Sequence, residues 1–329
     1  MQEIFLHIGH GKTGSSYIQS FLALNKKKLL QIGIDYPNHK SFKKAKKNKV
    51  TSGNGRTLFK KYLKKNSNIV GSRNLLFSSE LMFYRINNDN LFIDFIKKYS
   101  DKLTVIVFVR NIFSYEFTAW NQILKTQQTY LDIDKFLLHK CEHDKFDIFP
   151  TLLKWIDLSK IYGFKLKVRN YSKHKDNLLN TFLEDLIGSN EKSINFELPK
   201  INNINRSLTF LECEFQRVIN YSGIEGSSLG ELLIDQLPEI EPTKLRCNIE
   251  TYKKVKEKNI EFLNKINSLI DKNEALTIEN PEEVVYKDGD KHYKFLSIAQ
   301  IEIISSYLKS NINRKESMLN KIFRNFNYK

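Results

Sequence analysis

The sequence predicts an α/β fold, a central parallel sheet flanked by helices. A short apolar run near the start leads through a glycine-rich turn into a helical pattern. Further strand-like runs then alternate with helical stretches, as crossover connections require. The 329 residues, 41% of them hydrophobic and 27% charged, have globular composition and enough length for a large core. We read one domain over 1–329, with an α/β core over 1–220 and a mainly helical elaboration over 221–329.

The first strand is Glu3-Ile4-Phe5-Leu6, and Tyr17, Ile18, Phe21, Leu22 and Leu24 recur at helical spacing between Ser15 and Lys28. Between them lies His7-Ile8-Gly9-His10-Gly11-Lys12-Thr13-Gly14-Ser15-Ser16. Its glycines permit a tight turn with inward-pointing N–H groups, and the helix start adds positive potential. Lys12 and the hydroxyls of Thr13, Ser15 and Ser16 complete an anion cradle, whose expected guest is phosphate-like. A Walker A loop would need glycine where this chain has Leu6.

Ile32-Gly33-Ile34-Asp35-Tyr36-Pro37 reads as a turn into a short strand stopped by proline. Lys40 to Lys49 holds six lysines and reads as a mobile loop or a solvated helical turn. Thr51-Ser52-Gly53-Asn54-Gly55 is a turn and N-cap for a helix through Leu58, Tyr62 and Leu63. Asn74-Leu75-Leu76-Phe77-Ser78-Ser79-Glu80 is an apolar strand ending in two hydroxyls and a carboxylate. Carboxyl ends of strands line the ligand crevice of open α/β sheets, which directs Glu80 to the rim that holds Lys12. The competing reading makes Glu80 a cap for the next helix.

Leu103 to Val109 is a strand that runs into Arg110, where a magnesium-dependent nucleotide triphosphatase would want an acidic residue. Helical patterns follow over Phe113–Leu124 and Leu152–Lys160, then a strand over Phe164–Arg169 and a helix around Leu178, Leu179, Phe182 and Leu183 closed by Ile187-Gly188. Ile249–Leu269 and Phe295–Leu308 read as amphipathic helices. His139, Cys141 and His143 invite a metal reading, but spacing by two scatters ligands around a helix and no second pair accompanies them, so we expect no metal.

Lys12 to Ser16, with Arg110 and the run Thr118-Ala119-Trp120-Asn121-Gln122, resembles the sulfotransferase family that uses 3′-phosphoadenosine-5′-phosphosulfate (PAPS), in its bacterial form. In that family a Lys-Thr-Gly-Ser/Thr-Ser/Thr loop grips the 5′-phosphosulfate. A later strand ends in an arginine followed eight residues on by a serine, and both hold the 3′-phosphate. The resemblance implies a P-loop-like fold, with Gly11, Lys12, Thr13, Gly14, Ser15 and Ser16 on the phosphosulfate and Arg110 and Thr118 on the 3′-phosphate. Asn205 and Ser207 match a downstream Asn-x-Ser element near the cofactor, with a surface loop and helix cap as the alternative. The Ser78-Ser79-Glu80 strand end also resembles bacterial members. Gly11 stands where proline is frequent, and Ile112 replaces a proline often found two residues after the arginine.

On this resemblance the chain is expected to move a sulfuryl group from PAPS to a hydroxyl or amine, foremost of a carbohydrate or glycoconjugate, without metal. Lys12 would neutralise developing charge, Glu80 would take the acceptor proton, His10 is its rival for that task, and His7 is a core histidine. The alternatives are an ATP-dependent small-molecule kinase on a P-loop fold and a non-catalytic polyanion-binding protein.

The formal net charge of +16 fits polyanionic partners, yet the composition is rich in Lys, Asn and Ile, as biased coding would produce, and the lysines are scattered. We expect a small-molecule or glycan acceptor and no specific nucleic acid, with peripheral membrane contact and oligomeric state left open. Three widely spaced cysteines, Cys141, Cys213 and Cys247, suggest no disulfide framework and fit a reducing compartment. The first strand starts too near Met1 for a leader segment, and no long apolar run occurs, so a cytoplasmic protein is expected.

Overall fold

A computed structural model describes residues 2–47, 51–63, 72–126, 129–143, 145–188, 194–199, 206–223, 228–287 and 296–311. The chain divides into two compact units that alternate along the sequence. The first comprises Met1–Tyr115, Lys140–Lys200 and Lys254–Glu279, and the second Glu116–His139, Ile201–Lys253 and Asn280–Lys329.

The first unit holds a five-stranded sheet of β1 (Ile4–His7), β2 (Ile34–Asp35), β3 (Asn74–Ser78), β4 (Leu103–Val109) and β5 (Lys165–Asn170). Its order is β2-β3-β1-β4-β5 and every pairing is parallel. β1 and β4 are buried along their whole length, as mostly apolar strands are when helices cover both faces of a sheet, and the polar His7 and Thr104 are buried with them. Phe5, Leu76, Ile106 and Phe108 point to one face and pack with Ile18, Phe21 and Leu22 of the helix Ser15–Leu24 and with Leu179 and Phe182 of the helix Leu178–Ile187. Alternation sends Leu6, Phe77, Val105 and Val107 to the opposite face, where they are also buried.

The register pairs His7 with Ser78 on β3 and with Ile106 on β4, which runs three residues further before Arg110. The carboxyl ends of β1, β3 and β4 therefore deliver the glycine loop, Glu80 and Arg110 to one edge of the sheet.

Local differences from the sequence reading have identifiable causes. The first helix stops at Leu24 because the Asn25 side chain turns aside to donate to the carbonyls of Phe21 and Glu197 and to accept from the Glu197 N–H; a second helix then covers Lys26–Gln31. Of the two readings offered for the lysine-rich stretch, the helical one holds over Phe42–Lys46, with Ala45 buried and Lys43, Lys44 and Lys46 exposed. After Gly55–Thr57 the chain widens into a π-helical Leu58–Leu63.

In the second unit, the helix Phe210–Tyr221 begins with a capping box between Thr209 and Glu212, and Leu229–Gln236 follows. Ile219, Leu229 and Leu233 pack with Ile304 and Tyr307 from a helix over 298–311. Arg206 forms a bidentate pair with Glu212 at 2.7 and 2.8 Å and also donates to the carbonyls of Ser207, Leu233 and Leu237. Among the described residues no helix is long and apolar enough to cross a membrane.

Candidate functional site

The loop after β1 takes its shape from glycines at close approaches and left-handed positions. A side chain on Gly9 would bring a Cβ within 2.2 Å of Ser15 Oγ, and one on Gly14 within 2.3 Å of Leu178 Cδ2. Gly14, at φ 73°, accepts through its carbonyl from the N–H groups of Tyr17 and Ile18 and so starts the helix. Gly11 and Lys12 are left-handed too, at φ 91° and 56°, and Lys12 is the one non-glycine residue with positive φ among those described. Such a conformation costs a residue with a side chain about 1–2 kcal/mol. Strain of this kind persists where surrounding structure enforces it, commonly at ligand clamps.

Arg110 is tied to this loop twice. Its main-chain N–H donates to Nε2 of His10 at 2.8 Å, and its Nη1 donates to the carbonyl of Lys12 at 3.2 Å. The guanidinium lies 5.6 Å from the ring centre of Tyr171, the first residue after β5. Burial pushes the Arg110 pKa down, while Tyr171 and Glu279 oppose that shift. The Lys12 pKa is also lowered, chiefly by burial, with Glu80 opposing and Arg110 adding to it. Two cations held together against desolvation form a site that gains from an anion.

Glu80 lies over the loop, its Cγ 3.4 Å from where a Gly9 Cβ would stand and a carboxylate oxygen 4.0 Å from the same point at Gly11. The side chain of Ser79 accepts the Leu81 N–H at 3.3 Å and caps the turn Glu80–Met82, which leaves the Glu80 carboxylate to the loop. Burial raises the Glu80 pKa, against the pull of Lys12 and a hydrogen bond with Ser15. A carboxylate so placed can hold a proton closer to neutrality than an exposed one. Thr13 is fully buried, with Oγ1 3.5 Å from Ser15 Oγ, and Ser16 is half-buried.

His10 is buried, edge-on to the ring of Tyr115 at 4.8 Å and beside Phe83 at 5.6 Å. Its pKa falls to about 3, mainly through burial, opposed by a main-chain hydrogen bond and aided by the charge of Arg110. His7 lies within β1, fully buried, with Nδ1 2.8 Å from Ser78 Oγ and a pKa lowered to about 3 by burial.

Family models, curated proteins and solved structures were each compared with this chain, and none matched. The site therefore stands on its own chemistry.

The first unit brings together Gly11, Lys12, Thr13, Gly14, Ser15, Ser16, His10, Glu80 and Arg110. Thr118 and Ser207 belong to the second unit: Thr118 is half-buried on the helix Ile112–Lys125, and the Ser207 carbonyl accepts from Arg206. Asn205 lies outside the described residues.

Two participants are absent from the sequence reading. Tyr171 was accessible to it, because the rule that strand ends line the crevice applies to β5 as it does to β3 and β4. Glu279 carried no such signal. Its buried carboxylate accepts from the N–H groups of Phe113 and Ser114 at 3.2 and 2.7 Å and caps the helix after Arg110 from 165 residues away. Nearby, Asn111 and Thr277 bond each other reciprocally, fastening the same stretch of chain.

Cys141 is buried and its thiol pKa is raised, chiefly by burial. His139, Glu142 and His143 share one face at the end of the helix Ile133–Glu142, with ligand atoms within 4.8 Å of one another. His139 and His143 stand four residues apart, a separation that puts both on one helical face, unlike the spacing by two through Cys141. Glu142 and His143 are exposed.

Proposed function

We propose that this chain is a PAPS-dependent sulfotransferase that transfers a sulfuryl group to a hydroxyl or amine, foremost of a carbohydrate or glycoconjugate. The observation that carries the reading is the double tie between Arg110 and the glycine loop. It sets two cations, from the ends of β1 and β4, at one edge of the sheet. A donor with a 5′-phosphosulfate and a separate 3′-phosphate calls for such a pair of anion sites, and the strand β4 ends in a cation where a magnesium ligand would otherwise be wanted.

In this reading the loop amides and Lys12 bind the 5′-phosphosulfate and stabilise charge on the departing phosphate oxygen as the sulfur–oxygen bond breaks. Arg110 orients the donor through its 3′-phosphate, so that the acceptor attacks in line. Glu80, its pKa raised by burial, takes the proton that the acceptor hydroxyl or amine gives up.

The test is a thermal-shift comparison of adenosine 3′,5′-bisphosphate, ATP with magnesium, and an oligonucleotide. A ligand at about a hundred times its Kd stabilises by about 2.7 kcal/mol. The bisphosphate alone should do so. Stabilisation by ATP with magnesium but not the bisphosphate would replace this reading with the kinase, and salt-sensitive stabilisation by the oligonucleotide alone would replace it with polyanion binding.

A further inference from the structure

His10 has the residue type of a general base, but its surroundings fit another task. A neutral imidazole has one acceptor nitrogen, and here the acceptor, Nε2, is already taken by the main-chain N–H of Arg110 at 2.8 Å. The ring proton then resides on Nδ1, and the ring is packed between Tyr115 and Phe83. A base for an incoming substrate needs its acceptor lone pair directed at that substrate. The lone pair of His10 is directed at the protein's own backbone, at the residue that supplies the second cation.

The bond spans 100 residues and joins the loop after β1 to the end of β4. Val109 is paired in the sheet with Asn170, so Arg110 is the first residue of its strand end without a ladder partner. At that point an extended chain can rotate its next side chain in several directions. An acceptor from the loop removes this freedom, and the Arg110 Nη1 bond to the Lys12 carbonyl closes the same ring of contacts.

We infer that His10 is a positioning residue whose Nε2 holds the Arg110 main chain against the glycine loop, fixing the guanidinium for a 3′-phosphate. The inference deepens the sulfotransferase reading and rests on its assignment of Arg110. It also leaves Glu80 as the proton acceptor at the site.

The test titrates the wild-type protein, His10→Gln and His10→Leu with adenosine 3′,5′-bisphosphate and with adenosine 5′-monophosphate. Glutamine can accept the Arg110 N–H through Oε1 but cannot serve as a titrating base, whereas leucine keeps bulk and loses the acceptor. Without the acceptor the Arg110 main chain is no longer held against the loop, so His10→Leu should lose about tenfold or more of the preference for the bisphosphate while monophosphate affinity changes little. His10→Gln should recover that preference to within about threefold of wild type, the residual reflecting imperfect geometry.

A His10→Leu protein that keeps the wild-type preference overturns the inference. So do equal losses of transfer in both variants with the preference intact, which would mark His10 as the proton acceptor. Absence of any bisphosphate preference in the wild type is a different failure, because it removes the assignment of Arg110 itself. Should His10→Leu not fold, nitrogen NMR of the wild-type imidazole decides. One neutral tautomer protonated at Nδ1 through pH 6 to 8 supports the inference, and titration near the ordinary histidine value overturns it.

Discussion

Arg206 and Arg110 are the same side chain in opposite circumstances. Arg206, in the second unit, spends its guanidinium on both oxygens of Glu212 and on three carbonyls, and its side chain is 3% exposed. Arg110, in the first unit, makes one side-chain hydrogen bond among the described residues, to the Lys12 carbonyl, and otherwise faces the ring of Tyr171. A saturated guanidinium is a structural knot. One that is desolvated yet underbonded is prepared for an anion from outside, and burial lowers its pKa against the opposing pull of Tyr171 and Glu279. Arg169, bonded to Asp185 and Glu274 in the first unit, belongs with Arg206, so the contrast follows bonding and not the unit.

The contrast breaks most visibly in stability. Arg206→Ala strands the fully buried Glu212 carboxylate, and breaking such a pair costs about 3–5 kcal/mol. Arg110→Ala removes one hydrogen bond and should cost about 1 kcal/mol. Urea unfolding of the two variants measures both, and equal losses would dissolve the distinction.

Lys12→Ala sharpens the same point at the loop. On the proposed sulfuryl transfer, the rate should fall by about 10² to 10³ with cooperative unfolding retained, since the proposed electrostatic contact to the reacting group is lost. Lys12→Gly should be as inactive yet more stable than Lys12→Ala by about 1 kcal/mol, because glycine adopts φ 56° without strain. Paired turnover and melting measurements check this, and a Gly variant no more stable than Ala would mean the loop stores no strain.

Glu80→Gln keeps size and loses the carboxylate proposed to accept the proton. Transfer should drop by about 10² while bisphosphate affinity is unchanged, read by turnover and calorimetry. Normal transfer in this variant would remove Glu80 from the reaction.

A smaller effect follows from the buried histidines. His7 and His10 have folded pKa values lowered to about 3 from 6.5, so the unfolded chain binds the protons first as pH falls. Their contribution is fully present above pH 6.5 and declines as pH drops from there toward 3. Unfolding free energies at pH 7 and 5 should show the decline, and His10→Leu should reduce it. A flat profile would show that neither ring stays neutral in the folded protein.

The sheet was legible where the sequence is locally decisive. Leu103–Val109 is apolar except for Thr104, and β4 occupies those residues. The glycine loop was legible because left-handed backbone has few authors other than glycine. Long-range partners were not. Nothing near Asn25 announces that its side chain bonds Glu197, 172 residues away, and so ends a helix whose apolar pattern continues. Nothing near Glu279 announces a cap for the helix after Arg110. Local pattern specifies elements, while side chains that join distant stretches depend on the finished topology.

The most direct test of the account is calorimetric titration of adenosine 3′,5′-bisphosphate and adenosine 5′-monophosphate into the wild-type protein and Arg110→Ala. An arginine with open donors makes charge-assisted bonds to phosphate, so wild type should prefer the bisphosphate by about tenfold or more, and the variant should bind the two alike. Equal weakening of both ligands, with the preference intact, would contradict the claim that Arg110 reads the 3′ position.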